Sequence, residues 1–159
     1  MKTRLPEHCV SRYATRVRFV ETDLMGILHH ATHLAYFEAA RVEYMRRRGL
    51  AWSAWAHRGV HLPVVEANLR YRKTASFDEE LFVESRLTEL TRVRVRFDYR
   101  ILRMRQEQEE VIAEGETLLC CVDDQHVVRR IPAEVAEGLL APELANDPTA
   151  VQSRTESER

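Results

Sequence analysis

The residues of this chain best suited to chemistry are grouped between positions 23 and 33. Asp23 stands in the turn sequence TDLMG, and His29, His30 and His33 follow it closely. A helix beginning near His30 would point its unpaired N–H groups, with their partial positive charge, at whatever lies in front of it. A carbonyl oxygen placed there would be stabilised as its negative charge develops, which acyl transfer requires. Asp23 would then activate water or attack the carbonyl carbon itself.

Two other interpretations of the same residues compete with acyl transfer. The Asp23 carboxylate would do no more than accept hydrogen bonds from the N–H groups of its own turn, as aspartates in turns commonly do. Alternatively, His29 and His33, four residues apart, would share a helix face and bind zinc. No glutamate follows His29 in the spacing of an HExxH site, and the sequence does not identify a third ligand, so we expect no metal.

A strand and a long helix must position these residues. In TRVRFVE, over residues 15–21, Val17 and Phe19 alternate with arginines, which predicts a half-buried strand. Residues 31–48 contain no Gly or Pro and predict a helix. Three arginines at its carboxyl end suit the helix dipole, and Gly49 is expected to end it in a left-handed conformation.

An apolar stripe along this helix indicates which side faces the core. At 100° per residue, one broad face collects Leu34, Phe37, Ala40, Tyr44 and Met45. Glu38 falls at the edge of this face and Arg41 within it, so both charges would be partly removed from water. Their separation of three residues favours a structural ion pair between them.

The rest of the chain predicts mostly β-structure. Four strand candidates, separated by turn-rich breaks, cover residues 61–73, 80–91, 93–104 and 111–122. A last short strand is expected over 126–131, and a small helix follows Pro132 and runs through Leu140. One long early helix followed by antiparallel strands is an α+β layout in which the sheet wraps around the helix.

The third and fourth strand candidates are expected to form a hairpin. A turn near Glu107 would place Arg100 opposite Glu114 and Asp98 opposite Glu116. One of these pairs attracts and the other repels, so charge alone does not fix the register.

Length and charge limit the class of protein. The chain has 159 residues and is expected to form one domain over residues 1–142, followed by a flexible tail over 143–159. Its formal net charge of -1 does not support binding to nucleic acid. Neither a membrane span nor a secretory signal is evident, so we expect a cytoplasmic protein with reduced cysteines. A small sheet has open edges, which favours a homodimer with a continuous sheet.

The residues around Asp23 resemble a known family. The run VRFVETDLMGILHH over 17–30, followed by YFEAAR over 36–41, is similar to the opening of hotdog-fold acyl-CoA thioesterases of the 4-hydroxybenzoyl-CoA thioesterase type. Weaker likenesses extend the resemblance over about residues 13–140, namely PVVE at 63–66, FDEEL at 77–81 and RIP at 130–132.

This resemblance implies a hotdog fold, a dimer often paired into a tetramer, and hydrolysis of an acyl-CoA thioester without a metal or organic cofactor. Asp23 falls on the family's catalytic aspartate, and His30 on a histidine that orients the substrate or assists proton movement. The backbone N–H groups near His30 and Ala31 fall on the donor that polarises the thioester carbonyl. The chain departs from the common pattern at His29, Thr32 and His33, which bears on the acyl group more than on the reaction.

The substrate implied by the resemblance carries three phosphate groups on CoA. A local cluster of basic side chains is therefore expected, and Arg92, Arg94 and Arg130 are the candidates. Arginines in a row on a strand face are also typical of a solvated surface.

Two other functions fit the same fold. One is a hydratase or dehydratase acting on an acyl thioester, and the other is a non-catalytic module that binds acyl-CoA or acyl-carrier protein. Asp23 discriminates between enzyme and binding module, because a pure binder has no use for a carboxylate beside the carbonyl.

Overall fold

The computed structural model describes residues 5–145, and a five-stranded antiparallel sheet forms most of it. The strands, which lie in the order β1-β3-β4-β5-β2, are β1 (Val10–Arg16), β2 (Val64–Tyr71), β3 (Glu80–Leu90), β4 (Arg94–Arg105) and β5 (Gln108–Cys120). Within the described residues three helices accompany the sheet, α1 (Thr32–Arg46), α2 (Trp52–Ala56) and α3 (Ala133–Leu140). The predicted α+β layout is confirmed. No helix in residues 5–145 is long and apolar enough to cross a membrane.

Helix α1 packs on the sheet through aromatic side chains. The Phe37 ring stacks on Tyr99 of β4 with 4.4 Å between ring centroids, and Tyr44 meets Phe97 edge to face at 5.0 Å. Gly115 of β5 allows this close packing, because a Cβ there would collide with the Asn68 carbonyl oxygen and lie 2.9 Å from the Phe37 ring. A small residue at this position therefore sets how deeply the helix sits.

The predicted helix is confirmed to within two residues at each end, and Gly49 takes the expected left-handed conformation (φ +73°). Its predicted buried face is wrong at Leu34, which is 42% exposed, whereas His33 and Tyr36 are buried. The buried stripe runs through His33, Phe37 and Arg41 at intervals of four residues. Leu34 lies about 100° around the helix from His33 and so faces outward.

The predicted ion pair between Glu38 and Arg41 is wrong. Arg41 points into the space between helix and sheet, where its Nη1 donates to the Tyr99 hydroxyl at 3.0 Å. Glu38 is exposed and forms no ion pair among residues 5–145. The two side chains diverge because one follows the buried stripe and the other lies beyond its edge.

The first predicted strand, over residues 15–21, has the wrong bounds. Strand β1 ends at Arg16, and a single 3-10 turn covers Phe19–Glu21. The Glu21 carboxylate accepts the backbone N–H of Arg18 at 2.9 Å, which bends the chain out of the sheet. Val17 is buried as expected, but Phe19 is 76% exposed. A local bond between side chain and backbone thus prevails over the alternating pattern.

The four later strand candidates correspond to β2–β5, and the predicted hairpin register is confirmed. Asp98 lies opposite Glu116 despite their like charges. Neighbours relieve the repulsion, since Thr88 Oγ1 donates to Asp98 at 2.9 Å and the Arg96 guanidinium donates to Glu116 at 3.0 Å.

The last predicted strand, over 126–131, is wrong: the segment contributes only an isolated bridge between Val128 and Val122. Asp123 Oδ1 accepts the backbone N–H groups of Gln125 and Val127, each at 2.9 Å, and folds the segment into a turn. Helix α3 follows Pro132 as predicted. Of the predicted tail, residues 146–159 lie outside the described residues, while the Leu144 N–H donates to the Arg47 carbonyl at 2.8 Å.

Candidate active site

The turn that carries Asp23 is closed by its own backbone and tied to the neighbouring chain. The Asp23 N–H donates to the Ile27 carbonyl at 3.0 Å, and the Gly26 N–H donates to the Asp23 carbonyl at 2.9 Å. Gly26 has φ +74°, which a residue with a side chain rarely adopts. The Leu28 N–H donates to the Ala75 carbonyl at 2.7 Å, so the turn is held against the segment before β3.

The Asp23 side chain is half-buried, and its two oxygens differ. Oδ1 accepts the Met25 N–H at 2.8 Å, which is the turn bond that the plainer interpretation expects. Oδ2 has no hydrogen-bond partner among residues 5–145. One oxygen therefore orients the carboxylate, and the other is available to a water molecule or a substrate.

The backbone N–H groups at the start of α1 differ in whether they have an acceptor. Within the described chain the His30 N–H has no acceptor. The Ala31 N–H donates to Nδ1 of the His29 ring at 3.2 Å, so this second predicted donor is occupied by a neighbouring side chain. Of the two predicted donors, only the His30 N–H is thus without an acceptor in residues 5–145.

The peptide unit that joins His30 to Ala31 is held on both sides. Its carbonyl oxygen accepts the Tyr71 hydroxyl at 3.0 Å and faces Nδ1 of His33 at the same distance. Its N–H is bound by the His29 ring. Three side chains, one of them from β2, therefore fix the orientation of the backbone at the helix start.

His33 is a site residue that sequence analysis considered only as a zinc ligand and a departure from the family pattern. It is 3% exposed, and burial lowers its pKa, so the ring is neutral at pH 7. Nδ1 faces the carbonyl oxygens of His29 and His30 and must carry the proton. Nε2 is then an acceptor, and it makes no hydrogen bond within residues 5–145. Its spacing of four residues from Phe37 was the available signal.

Asp23, His30, His33 and Tyr71 line one cavity of about 270 Å³. Its other walls are mainly apolar and include Met25, Ile27, Leu28 and Ala75. Larger depressions of about 510 and 550 Å³ lie on the outer sheet face and beside the β4–β5 turn, but charged side chains dominate their walls. Of these three cavities only the smaller combines mainly apolar walls with a carboxylate and a residue whose backbone N–H has no acceptor within residues 5–145, so it is the candidate site.

The predicted basic residues do not lie beside Asp23 within one chain. Arg92, Arg94 and Arg130 are exposed near the end of the sheet where β4 begins. The site lies near the other end, roughly 23 Å along a strand from Arg94 at the usual rise per residue. Arg72 and Lys73, which follow β2 directly, line the cavity instead and form ion pairs with glutamates of β5.

A second carboxylate, that of Glu21, lies just before the Asp23 turn in the sequence. Glu21 accepts the Tyr36 hydroxyl at 2.7 Å and the Arg18 guanidinium at 2.8 Å. Burial alone would raise its pKa, but these hydrogen bonds lower the pKa below its usual value, so Glu21 stays charged. Its backbone carbonyl accepts the His29 N–H at 2.8 Å, which links it to the helix start.

Comparison with known proteins identifies the family. The protein-family model described as the thioesterase-like superfamily matches residues 17–139. The chain belongs to the thioesterase-like superfamily.

Two proteins of known structure are similar to this chain in fold, and a third protein is similar to it in sequence. A hypothetical protein of Thermus thermophilus, known from its crystal structure, is 38% identical with a TM-score of 0.76, over 82% of this chain and 99% of that one. Another from Aquifex aeolicus is 32% identical with a TM-score of 0.75, over 81% and 98%. Acyl-CoA thioester hydrolase YbgC of Escherichia coli O6:H1 is 28% identical over 70% of this chain and 81% of that protein. With the observed sheet and helix, these similarities confirm the predicted hotdog fold.

Because burial lowers the pKa of His33, the free energy of unfolding should decrease as the pH falls below about 6.5. The unfolded chain takes up a proton on this ring in that range, and the folded chain resists it, so acid favours unfolding. Urea titrations at pH 7 and pH 5 should show a smaller loss for His33→Asn than for the unmodified chain. His57→Asn, at an exposed histidine, should behave like the unmodified chain. Equal pH dependence in all three proteins would show that His33 is not buried as a neutral ring.

Proposed function

We propose that this chain hydrolyses acyl-CoA thioesters, with Asp23 as base or nucleophile and the His30 N–H as the donor to the thioester carbonyl oxygen. The proposal rests on one cavity lined by both Asp23 and His30, because within residues 5–145 Asp23 has a carboxylate oxygen without a partner and His30 has a backbone N–H without an acceptor. Membership of the superfamily and the activity named for YbgC support the same reaction.

The chemistry needs a nucleophile and a stabilised oxyanion, because a thiolate leaves readily. In one route Asp23 Oδ2 takes a proton from water while the water oxygen attacks the thioester carbon. In the other route Oδ2 attacks directly, and water then hydrolyses the resulting anhydride. In both, the carbonyl oxygen becomes negative beside the His30 N–H, the carbon–sulfur bond breaks, and free acid and CoA leave.

The histidines near this donor are proposed to orient it and to shape the acyl pocket. The His30 ring lies against the His29 ring just before α1 begins, with 4.2 Å between the ring centroids. The Ala31 N–H would become a second oxyanion donor when the His29 ring turns away from it. His33 Nε2 would offer one hydrogen-bond acceptor beside the apolar part of the pocket wall.

Asp23→Asn is expected to lower thiol release by about 10²- to 10⁴-fold, the usual contribution of a general base, without loss of folding. Asp78→Asn is the matched control, because Asp78 lies in another exposed turn outside the cavity. Thiol trapping over aliphatic and aromatic acyl-CoAs, 4-hydroxybenzoyl-CoA among them, measures both variants. Retention of most of the turnover by Asp23→Asn would contradict the proposal. An unmodified chain that binds acyl-CoA and releases no thiol would be a binding module.

Tyr71→Phe removes the hydroxyl that holds the His30 carbonyl and should reduce kcat about 2- to 10-fold, the equivalent of one hydrogen bond, with little change in KM. Tyr13→Phe is the control, since the Tyr13 hydroxyl makes no hydrogen bond within residues 5–145. Steady-state kinetics on one acyl-CoA separates the two parameters. A kcat equal to that of Tyr13→Phe would mean that this bond does not position the donor.

The active form is proposed to be a homodimer joined through β2. This strand lies at the edge of the sheet, and seven of its eight residues are exposed, which leaves its outer side able to pair. Antiparallel pairing of two β2 strands would reverse one sheet relative to the other. The end of the partner sheet that carries Arg92, Arg94 and Arg130 would then lie toward Asp23, where the phosphates of CoA need cations.

Sedimentation equilibrium should therefore give twice the mass of the 18.6 kDa chain, or four times that mass if dimers pair into tetramers. A species of single-chain mass that retains full thioesterase activity would contradict this assembly.

A further inference from the structure

Arg41 carries a charge that the core leaves without a counter-charge. The residue is 7% exposed, and Nη1 donates to the Tyr99 hydroxyl at 3.0 Å and to Thr117 Oγ1 at 3.5 Å. Both acceptors are neutral. Among residues 5–145 no carboxylate pairs with this guanidinium, and its Nε is buried without an acceptor. Because a buried cation without a partner is costly, an anion would stabilise this arrangement.

The unused donors of Arg41 are placed side by side. Nη1, the nitrogen on the Cδ side of the guanidinium plane, is taken up by the two hydroxyls. Nε–H and Nη2–H point together from the opposite edge, and neither has a partner in the described chain. This edge matches the two oxygens of a carboxylate, which arginine binds through two parallel hydrogen bonds.

Arg41 lines a cavity of about 360 Å³ between α1 and the start of β2. Its size falls within the usual range for small-molecule sites. The remaining walls are mostly apolar, formed by Val42, Trp52, Leu62, Pro63 and Val64, with Glu38 as the other charged residue. None of these residues lines the Asp23 cavity. Apolar walls around one buried cation suit a ligand that has a carboxylate at one end and a hydrocarbon body.

We propose that this cavity binds a small carboxylic acid, with its carboxylate on Nη2 of Arg41, and on Nε once a small turn of the guanidinium opens it to the cavity, and with its hydrocarbon part against the apolar walls. The carboxylate can belong to a free acid or to the far end of an acyl chain that carries a second carboxylate. Glu38 opposes the ligand's charge from the side of the cavity. Its removal should therefore strengthen binding, whereas a site built around a Glu38–Arg41 pair would respond in the opposite direction.

Calorimetry and NMR observation of the Arg41 Nε–H signal test the site directly in the full chain. Hexanoate should bind in the millimolar range or more tightly and shift this signal, and hexanamide, of the same shape but neutral, should bind at least about tenfold more weakly. Adipoyl-CoA and hexanoyl-CoA, added to the Asp23→Asn chain, separate the sources. A shift with adipoyl-CoA alone assigns the site to the acyl chain of a thioester, and a shift with hexanoate assigns it to a free acid. These titrations require no turnover, so their outcome is independent of the proposed hydrolysis.

Three variants isolate the contacts. Arg41→Lys keeps the charge but loses the paired donors and should weaken hexanoate binding about tenfold. Val42→Trp should fill the cavity and abolish binding with Arg41 unchanged, which covers the case that Arg41→Lys fails to fold. Glu38→Gln should tighten binding about 2- to 5-fold, as expected for loss of one nearby like charge.

The proposal is overturned if no carboxylate shifts the Arg41 signal, or if hexanamide binds as well as hexanoate. It is also overturned if Val42→Trp binds hexanoate like the unmodified chain. A signal that responds to protein concentration and not to added acid would show that a carboxylate of a second copy fills the cavity instead.

Discussion

The structure at the helix start depends on one peptide unit, that between His30 and Ala31. A helix amino terminus frays readily because its first N–H groups lack partners within the helix. Here the Tyr71 hydroxyl and the His33 ring hold the carbonyl side, and the His29 ring holds the N–H side. The His30 N–H belongs to the preceding peptide unit, whose carbonyl oxygen accepts the Thr32 N–H at 3.0 Å and faces Nδ1 of His33, and this N–H has no acceptor among the described residues. Preorganised donors of this kind stabilise developing charge without reorganising during the reaction.

The other elements bring partners to that peptide unit. Strand β2 supplies Tyr71, and Gly115 on the adjacent strand lets α1 lie close enough to be reached. Backbone bonds from Leu28 to Ala75 and from His29 to Glu21 tie the Asp23 turn to its neighbours, and Asp23 and His30 line one cavity. The position of the carboxylate relative to the helix start therefore depends on residues outside the turn as well as within it.

Local signals predicted those parts of the fold that are decided locally. The cap at Gly49 and the register that pairs Arg100 with Glu114 are examples, since each depends on residues close in sequence or on one short turn. The end of β1 was not predictable from alternation, because the Glu21 side chain captures the backbone of Arg18. Nor was the direction of Arg41, because the rotation of α1 is set by aromatic stacking against a strand far along the chain.

The candidate site likewise contains residues that the sequence predicted and residues that it did not. Asp23 and His30 were predicted together because they flank one turn and one helix start, and they line one cavity. Tyr71 is 41 residues from the carbonyl that it holds, so no sequence pattern links the two. His33 was visible in the sequence, but its role depends on burial and on the carbonyl oxygens that fix its proton. Pairing of distant elements is therefore the information that a single sequence lacks.

The contact between the His30 N–H and a thioester carbonyl is measured most directly by the backbone amide spectrum of the chain during titration with an acyl-CoA analogue that has a methylene group in place of the thioester sulfur. Such a ketone presents the carbonyl oxygen but cannot be cleaved. If the His30 N–H donates to the carbonyl oxygen, the His30 amide proton moves downfield, and by more than the proton of Ala31. An unchanged His30 signal, with the analogue bound and other amides responding, would contradict this role of the His30 N–H.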